Sequence, residues 1–148
     1  MIILYVNTLA SKPHKPVFRQ IRLPDFTPMT ASKKKLDRKE RLKQLIEKEF
    51  GKDLQKVRTR CKDEHLLIDA TFYVIESDKK GRSKPDIDNL LKILFDVLSE
   101  NMVNGQNAIP GLGIIKNDSQ IYEIKCNKVP SDENNPREGL DFQISIIP

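Results

Sequence analysis

The sequence predicts a single α+β domain, in which a mixed or largely antiparallel sheet carries two main helices packed on it. Three observations lead there. Two segments, about Ser32 to Phe50 and about Ile87 to Glu100, space their apolar residues at helical intervals. Runs of alternating apolar and polar residues lie before, between and after them, as half-buried strands require. Finally, 148 residues with no internal repeat or domain-scale linker fit one domain that buries its own core.

Taken in order, Ile2, Leu4 and Val6 alternate with Ile3, Tyr5 and Asn7, and Val17 to Leu23 offers a second extended segment closed by Pro24. Together they predict a short strand pair. Pro24 to Ser32 reads as a loop into a helix, with Thr30 or Ser32 as N-cap. Leu36, Leu42, Leu45, Ile46 and Phe50 then form the apolar stripe of the first helix, and Gly51 stands where a C-terminal cap belongs. Asp53 to Glu64 fits either more helix or a connecting loop.

Leu66 to Ile75 is a strand with Leu66, Ile68, Ala70, Phe72 and Val74 on one side and Asp69, Thr71 and Tyr73 on the other. Glu76 to Ser83 is a basic turn. The second helix turns Ile87, Leu90, Leu91, Leu94, Val97 and Leu98 toward a core, and Asn101 to Gly113, with three glycines and Pro110, is a long loop. Its Gly111-Leu112-Gly113 follows no strand and lacks the rest of a dinucleotide fingerprint. Gln120 to Lys128 alternates Tyr122, Ile124 and Cys126 against Glu123, Lys125 and Asn127, and a last strand carries Leu140, Phe142, Ile144 and Ile146. Strand order does not follow from these patterns.

Cys61 and Cys126 have no metal-ligand spacing and only His14 and His65 to join them, which argues against a zinc site and for free thiols in a reducing compartment. Met1 to Leu9 is apolar but short and has no basic n-region, so it reads as a strand rather than a signal peptide, and a cytoplasmic location is expected. The net charge of +5 is divided unequally: residues 1 to 85 hold 21 basic and 11 acidic side chains, and residues 86 to 148 hold 5 and 10. A basic surface beside acidic groups suits an enzyme that handles a polyanion, though charge alone equally describes a soluble basic protein. In the first helix Lys33, Lys34, Lys35, Arg38, Lys39, Arg41 and Lys43 crowd toward the N-terminal end, where the helix dipole opposes them. They suggest contact with phosphate backbone rather than base readout, the alternative being a solvated charged face.

The chemistry concentrates at Lys84-Pro85-Asp86-Ile87-Asp88-Asn89-Leu90-Leu91-Lys92 and at Asn117-Asp118-Ser119-Gln120. Hard carboxylate oxygens are the usual ligands of magnesium at a phosphoryl-transfer site, so Asp86, Asp88 and Asp118, if they converge, suggest a metal-dependent nuclease. Each also has an ordinary explanation: Asp86 as N-cap, Asp88 as an acid in the first helical turn, Asp118 as part of an Asx-turn with Asn117 or Ser119. Lys92 lies one turn after Asp88 on the same face, either as a surface pair or as a cation for a scissile phosphate. Asp96, one turn further, is a natural partner for Lys92.

The ordered run Asp86-x-Asp88-Asn89-Leu90-x-Lys92, then Phe95-Asp96-x-Leu98, then Asp118-Ser119-Gln120-Ile121 leading a strand that ends at Lys128, resembles the RusA family of Holliday junction resolvases over about residues 82 to 130. The resemblance implies a small homodimeric endodeoxyribonuclease, dependent on Mg2+ with Mn2+ as an alternative, that nicks two opposing strands of a four-way junction during recombination and repair. It implies Asp86, Asp88 and Asp118 as metal-binding acids, Lys92 as the catalytic lysine and Asn89 as an orienting residue. Arg82 and Lys84 would contact DNA, as would Lys79, Lys80 and Lys128. Neither a membrane nor a small-molecule cofactor enters. Two features depart from the family: the first sixteen or so residues look like an addition, and the 101–113 loop is long. Rival readings are a nuclease of the same fold acting on other branched DNA, and a basic DNA-binding module without catalysis.

Overall fold

The computed structural model describes residues 13–28, 35–75, 85–102, 109–131 and 137–148. The expected strand at residues 2–7 and the expected N-cap at Thr30 or Ser32 lie outside them.

Among the described residues five strands form one mixed sheet. The strands are β1 (Lys15–Pro16), β2 (Ile21–Leu23), β3 (Leu66–Ile75), β4 (Ile121–Ser131) and β5 (Gly139–Ile146). The order is β1-β5-β3-β4, with β2 also paired to β5. Every pairing is antiparallel except β3 with β4, which run parallel. Parallel neighbours need a crossover, and the helix over Ile87–Leu98 supplies it. This helix therefore runs back along the sheet. It begins beside the C-terminal ends of β3 and β4 and ends beside their N-terminal ends.

Among the described residues there are three α-helices: α1 (Lys35–Phe50), α2 (Leu54–Cys61) and the crossover helix α3 (Ile87–Leu98). α2 occupies the stretch for which the sequence left helix and loop open; Val57 and Cys61 give it a narrow apolar stripe that is fully buried. Gly51 takes a left-handed backbone at φ +53, which ends α1 as its sequence position suggested.

The core lies between the sheet and the helices. From the sheet it takes Ile68, Ala70, Phe72, Leu140 and Phe142, and from the helices Leu42, Ile46, Leu90, Ile93, Leu94 and Leu98. Two expectations fail at its margins. Leu36 is exposed in the first turn of α1. On β4, Tyr122 and Ile124 are exposed, because this strand stands last in the sheet and the helices cover little of it. Tyr122 instead stacks on His65, ring centroids 4.0 Å apart.

The second half of the long 101–113 loop is a helix cap. The last carbonyls of an α-helix have no partner within it. Here the amides of Leu112, Ile114 and Ile115 donate to the carbonyls of Val97 and Leu98, at 2.8–3.1 Å. Gly111 must be glycine for this approach, since a Cβ there would lie 2.0 Å from the Ser99 carbonyl oxygen. Met102, Leu112, Ile114 and Ile115 are buried beneath the cap. Gly111 thus serves close packing against a helix end.

Candidate active site

Asp86 occupies the N-cap position of α3, with extended backbone (φ −80, ψ 144) and its carbonyl accepting from the Leu90 amide at 3.1 Å. Its carboxylate makes no capping hydrogen bond. The backbone has the capping geometry while the side chain is left exposed to solvent. Asp88 and Asn89 in the first turn and Lys92 one turn later are exposed as well. Asp88 and Lys92 form no ion pair with any described residue.

The expected Lys92–Asp96 pair is absent, because α1 takes Asp96 instead. Lys39 Nζ donates to Asp96 Oδ2 at 2.7 Å and to the Met102 carbonyl at 3.1 Å, with Lys39 buried. Lys43 is likewise engaged within the chain, donating to the Pro110 carbonyl at 3.0 Å. Two of the helix-one cations that suggested phosphate contact therefore fasten α1 to α3 and its cap. Lys92 remains the exposed cation on this face of α3.

Asp118 opens a short 3-10 turn, Asp118–Gln120, just before β4. The turn is held by Asn117, whose Oδ1 accepts from the Ser119 amide at 2.9 Å and from the Ser119 hydroxyl. Gln120 anchors the turn from the other side, its amide nitrogen donating to the carbonyls of Cys61 and Glu64. Asn117 and Gln120 thus do the work of the turn, and the Asp118 carboxylate stays exposed.

Lys128 on β4 is half-buried and donates to the Pro85 carbonyl at 3.1 Å. That bond fixes the start of α3 against β4. Lys128, expected to contact DNA, directs one ammonium donor at the backbone just ahead of Asp86. Lys79, Lys80, Arg82 and Lys84, expected at the DNA surface, lie outside the described residues.

One expectation about the acids is overturned: the three aspartates do not converge within one chain. Asp118 shares a cleft with Phe95, Asp96, Ser99 and Glu100, at the C-terminal end of α3. Asp86 and Asp88 stand at its N-terminal end. Between Asp88 and the Phe95–Ser99 stretch the helix axis rises roughly 10 to 16 Å. The cause is topological: a crossover helix runs against its strands, so the residue leading into β4 meets the helix's far end. Among the described residues no group of three His, Cys, Asp or Glu side chains lies close enough to hold a metal ion. Among the described residues one chain therefore places Asp86 and Asp88 at the N-terminal end of α3 and Asp118 near its C-terminal end.

The family model of endodeoxyribonuclease RusA matches residues 11–137. The chain belongs to the RusA family. RusA proteins are Holliday junction resolvases, so the activity class is hydrolysis of DNA phosphodiesters. The match includes every residue of the candidate site, from Asp86 to Asp118. No curated protein matches the chain. The α+β fold with a mixed sheet agrees with a RusA domain, and among the described residues no helix is long and apolar enough to cross a membrane.

Proposed function

We propose that this RusA-family chain is a structure-specific endodeoxyribonuclease that, as a homodimer with Mg2+ or Mn2+, resolves four-way DNA junctions by paired symmetric nicks in recombination and repair. The observation that carries this reading is the state of four side chains. Asp86, Lys92 and Asp118 each have a cap, an ion pair or a turn within reach that the side chain does not take up, and all three, like Asp88 in the first turn of α3, are left exposed. Leaving a cap and a turn unassisted by the acids that sit on them is explained when those acids serve a substrate.

In this reading Lys92 offsets charge that builds on the phosphate during cleavage. Asn89 orients the neighbouring acids, and Arg82, Lys84, Lys79 and Lys80 hold the DNA backbone, giving affinity that falls steeply with salt. A two-fold dimer matches the symmetry of a four-way junction, which accounts for paired cuts.

The deciding experiment compares the purified protein on four-way, three-way and linear DNA with Mg2+. Nicking of the four-way junction alone, lost in Asp88→Asn with binding retained, supports the proposal. Equal cleavage of flaps or forks would assign the same fold to another branched substrate. Binding without any divalent-dependent nicking would leave a DNA-binding module.

A further inference from the structure

We infer that the cleft between α2 and the Asp118 turn is a further DNA-binding site, in which Arg58, Lys62 and Lys116 hold phosphodiester groups of the strand that runs past Asp118. The inference rests on the nuclease reading for the presence of DNA at Asp118, and on the geometry of the cleft for the rest.

The cleft is open to solvent and has a volume of about 520 Å³. One wall is Gln55, Arg58, Thr59 and Lys62, whose helical spacing puts them on the face of α2 turned away from the buried Val57 and Cys61. Lys116 and Ile114, from the segment that caps α3, form the other.

The lining selects the kind of ligand. Among the described residues Ile114 is its one large apolar side chain, and no aromatic ring lines it. The cleft therefore offers neither the apolar enclosure of a small-molecule pocket nor a stacking platform for bases. What it offers is positive charge. Arg58, Lys62 and Lys116 outnumber the two lining acids, Asp63 and Glu100, and among the described residues none of the three forms an ion pair. Uncompensated cations around an open cleft attract a polyanion and gain affinity by releasing its counterions.

Arg58 is already held in place for such a contact. Its Nε donates to the Leu112 carbonyl at 2.7 Å and its Nη1 to Gln55 Oε1 at 3.3 Å. These bonds fix the guanidinium plane and leave Nη2 without a partner among the described residues. A guanidinium fixed beforehand loses little side-chain entropy when it takes a phosphate oxygen.

The cleft is also joined to the candidate site. Lys116 and Glu100 line both this cleft and the one that holds Asp118. Gln120 locks the two together. Its Oε1 accepts from the Lys116 amide at 2.7 Å, while its Nε2 donates to the Cys61 and Glu64 carbonyls, at the end of α2, at 2.9 and 3.1 Å. The backbones that carry Lys62, Lys116 and Asp118 thus keep a fixed relation. A strand with a phosphate at Asp118 meets Lys116, and then α2, along one of its two directions.

The test is the salt dependence of binding. Lys62→Ala/Lys116→Ala removes two exposed cations from the cleft, and Lys48→Ala/Lys52→Ala removes two exposed cations that line neither cleft. Binding of a fluorescently labelled four-way junction is followed by anisotropy in EDTA over about 50 to 200 mM KCl. Each lost phosphate contact flattens the slope of log K against log salt by about 0.7 to 0.9, so the cleft variant is expected to lose about 1.5 from the slope while the control keeps the wild-type value. A cleft variant with the wild-type slope overturns the inference. An equal loss in the control overturns it too, since net charge alone would then explain the effect.

A second readout uses the unaltered protein. With the junction bound, Lys62 and Lys116 are expected to be protected from acetylation by an N-hydroxysuccinimide ester, and Lys48 to react throughout, as read by peptide mass spectrometry. Full reactivity of Lys62 and Lys116 in the complex also overturns the inference. If wild type nicks the junction with Mg2+ and the slope does not change, the cleft fails and the nuclease reading stands. If the slope falls but wild type nicks no branched DNA, the nuclease reading fails and the cleft stands as a DNA contact.

Discussion

Lys39 of α1 reaches across to Asp96 of α3 with a 2.7 Å ion pair and uses a second proton on the Met102 carbonyl. The pair joins the helix that carries Asp86, Asp88 and Lys92 to the helix packed beside it. Its ammonium is almost wholly removed from water. Deleting one partner of such a pair leaves the other charge poorly compensated. Lys39→Ala is expected to destabilise the fold by about 2–4 kcal/mol, read as a lower urea midpoint at unchanged slope. A loss below about 0.5 kcal/mol, as for ordinary exposed residues, would show that the pair holds nothing.

Asp86 gives the opposite expectation. A capping Asp replaced by Ala commonly costs about 1 kcal/mol, through the lost bond to the first-turn amides. That bond is absent here. Asp86→Ala should therefore leave stability within about 0.5 kcal/mol of wild type while junction cleavage is lost. Chemical denaturation and a nicking assay on the same preparation check both halves of the statement.

Gly111 is predicted to be the least replaceable of the described glycines. An alanine methyl would collide with the Ser99 carbonyl, forcing the cap away from α3. A loss of about 2–3 kcal/mol is expected for Gly111→Ala, at the upper end for a group forced into a packed interior. Because the displaced segment leads to Asp118, cleavage should fall further than the folded fraction does. Equal thermal midpoints for variant and wild type would refute the close approach.

The two thiols should differ from free cysteine. Burial pushes the Cys61 thiol up to about 12, with the neighbouring Glu64 adding to the shift, and burial followed by Asp69 raises Cys126. Cys61 should resist alkylation at pH 8 in the folded protein and react once urea exposes it, because only the thiolate attacks. The shift has a stability consequence of definite sign. A folded-state value above the unfolded one means that the stabilisation is complete below about pH 9 and disappears as the pH climbs toward about 12. Cys61→Ala should flatten that alkaline loss, measured as urea midpoints from pH 8 to 11.

The sequence by itself determined the local elements and the identity of the reactive groups. β3 and β5 fall where alternation placed them, α3 begins at Ile87 as its stripe required, and Gly51 ends α1. These are decided by neighbours a few residues apart, and such periodicities are written directly in the chain. The acids, Lys92 and the order Asp, Asp, Asn, Lys, Asp were legible for the same reason, and they were enough to suggest the family.

What the tertiary structure alone decided is who meets whom. Asp96 had two candidate lysines, and the packing of α1 on α3 chose Lys39 over the one a single turn away. The glycines after α3 read as a loop, and the part Gly111 plays in the cap depends on a chain reversal that places it against Ser99. The parallel pairing of β3 and β4 directs α3 backward, which carries Asp118 to the end of the helix opposite Asp86 and Asp88. Local patterns state which side chains are available; the direction of a crossover is set by non-local hydrogen bonding and packing, and it divides the candidate site into two halves.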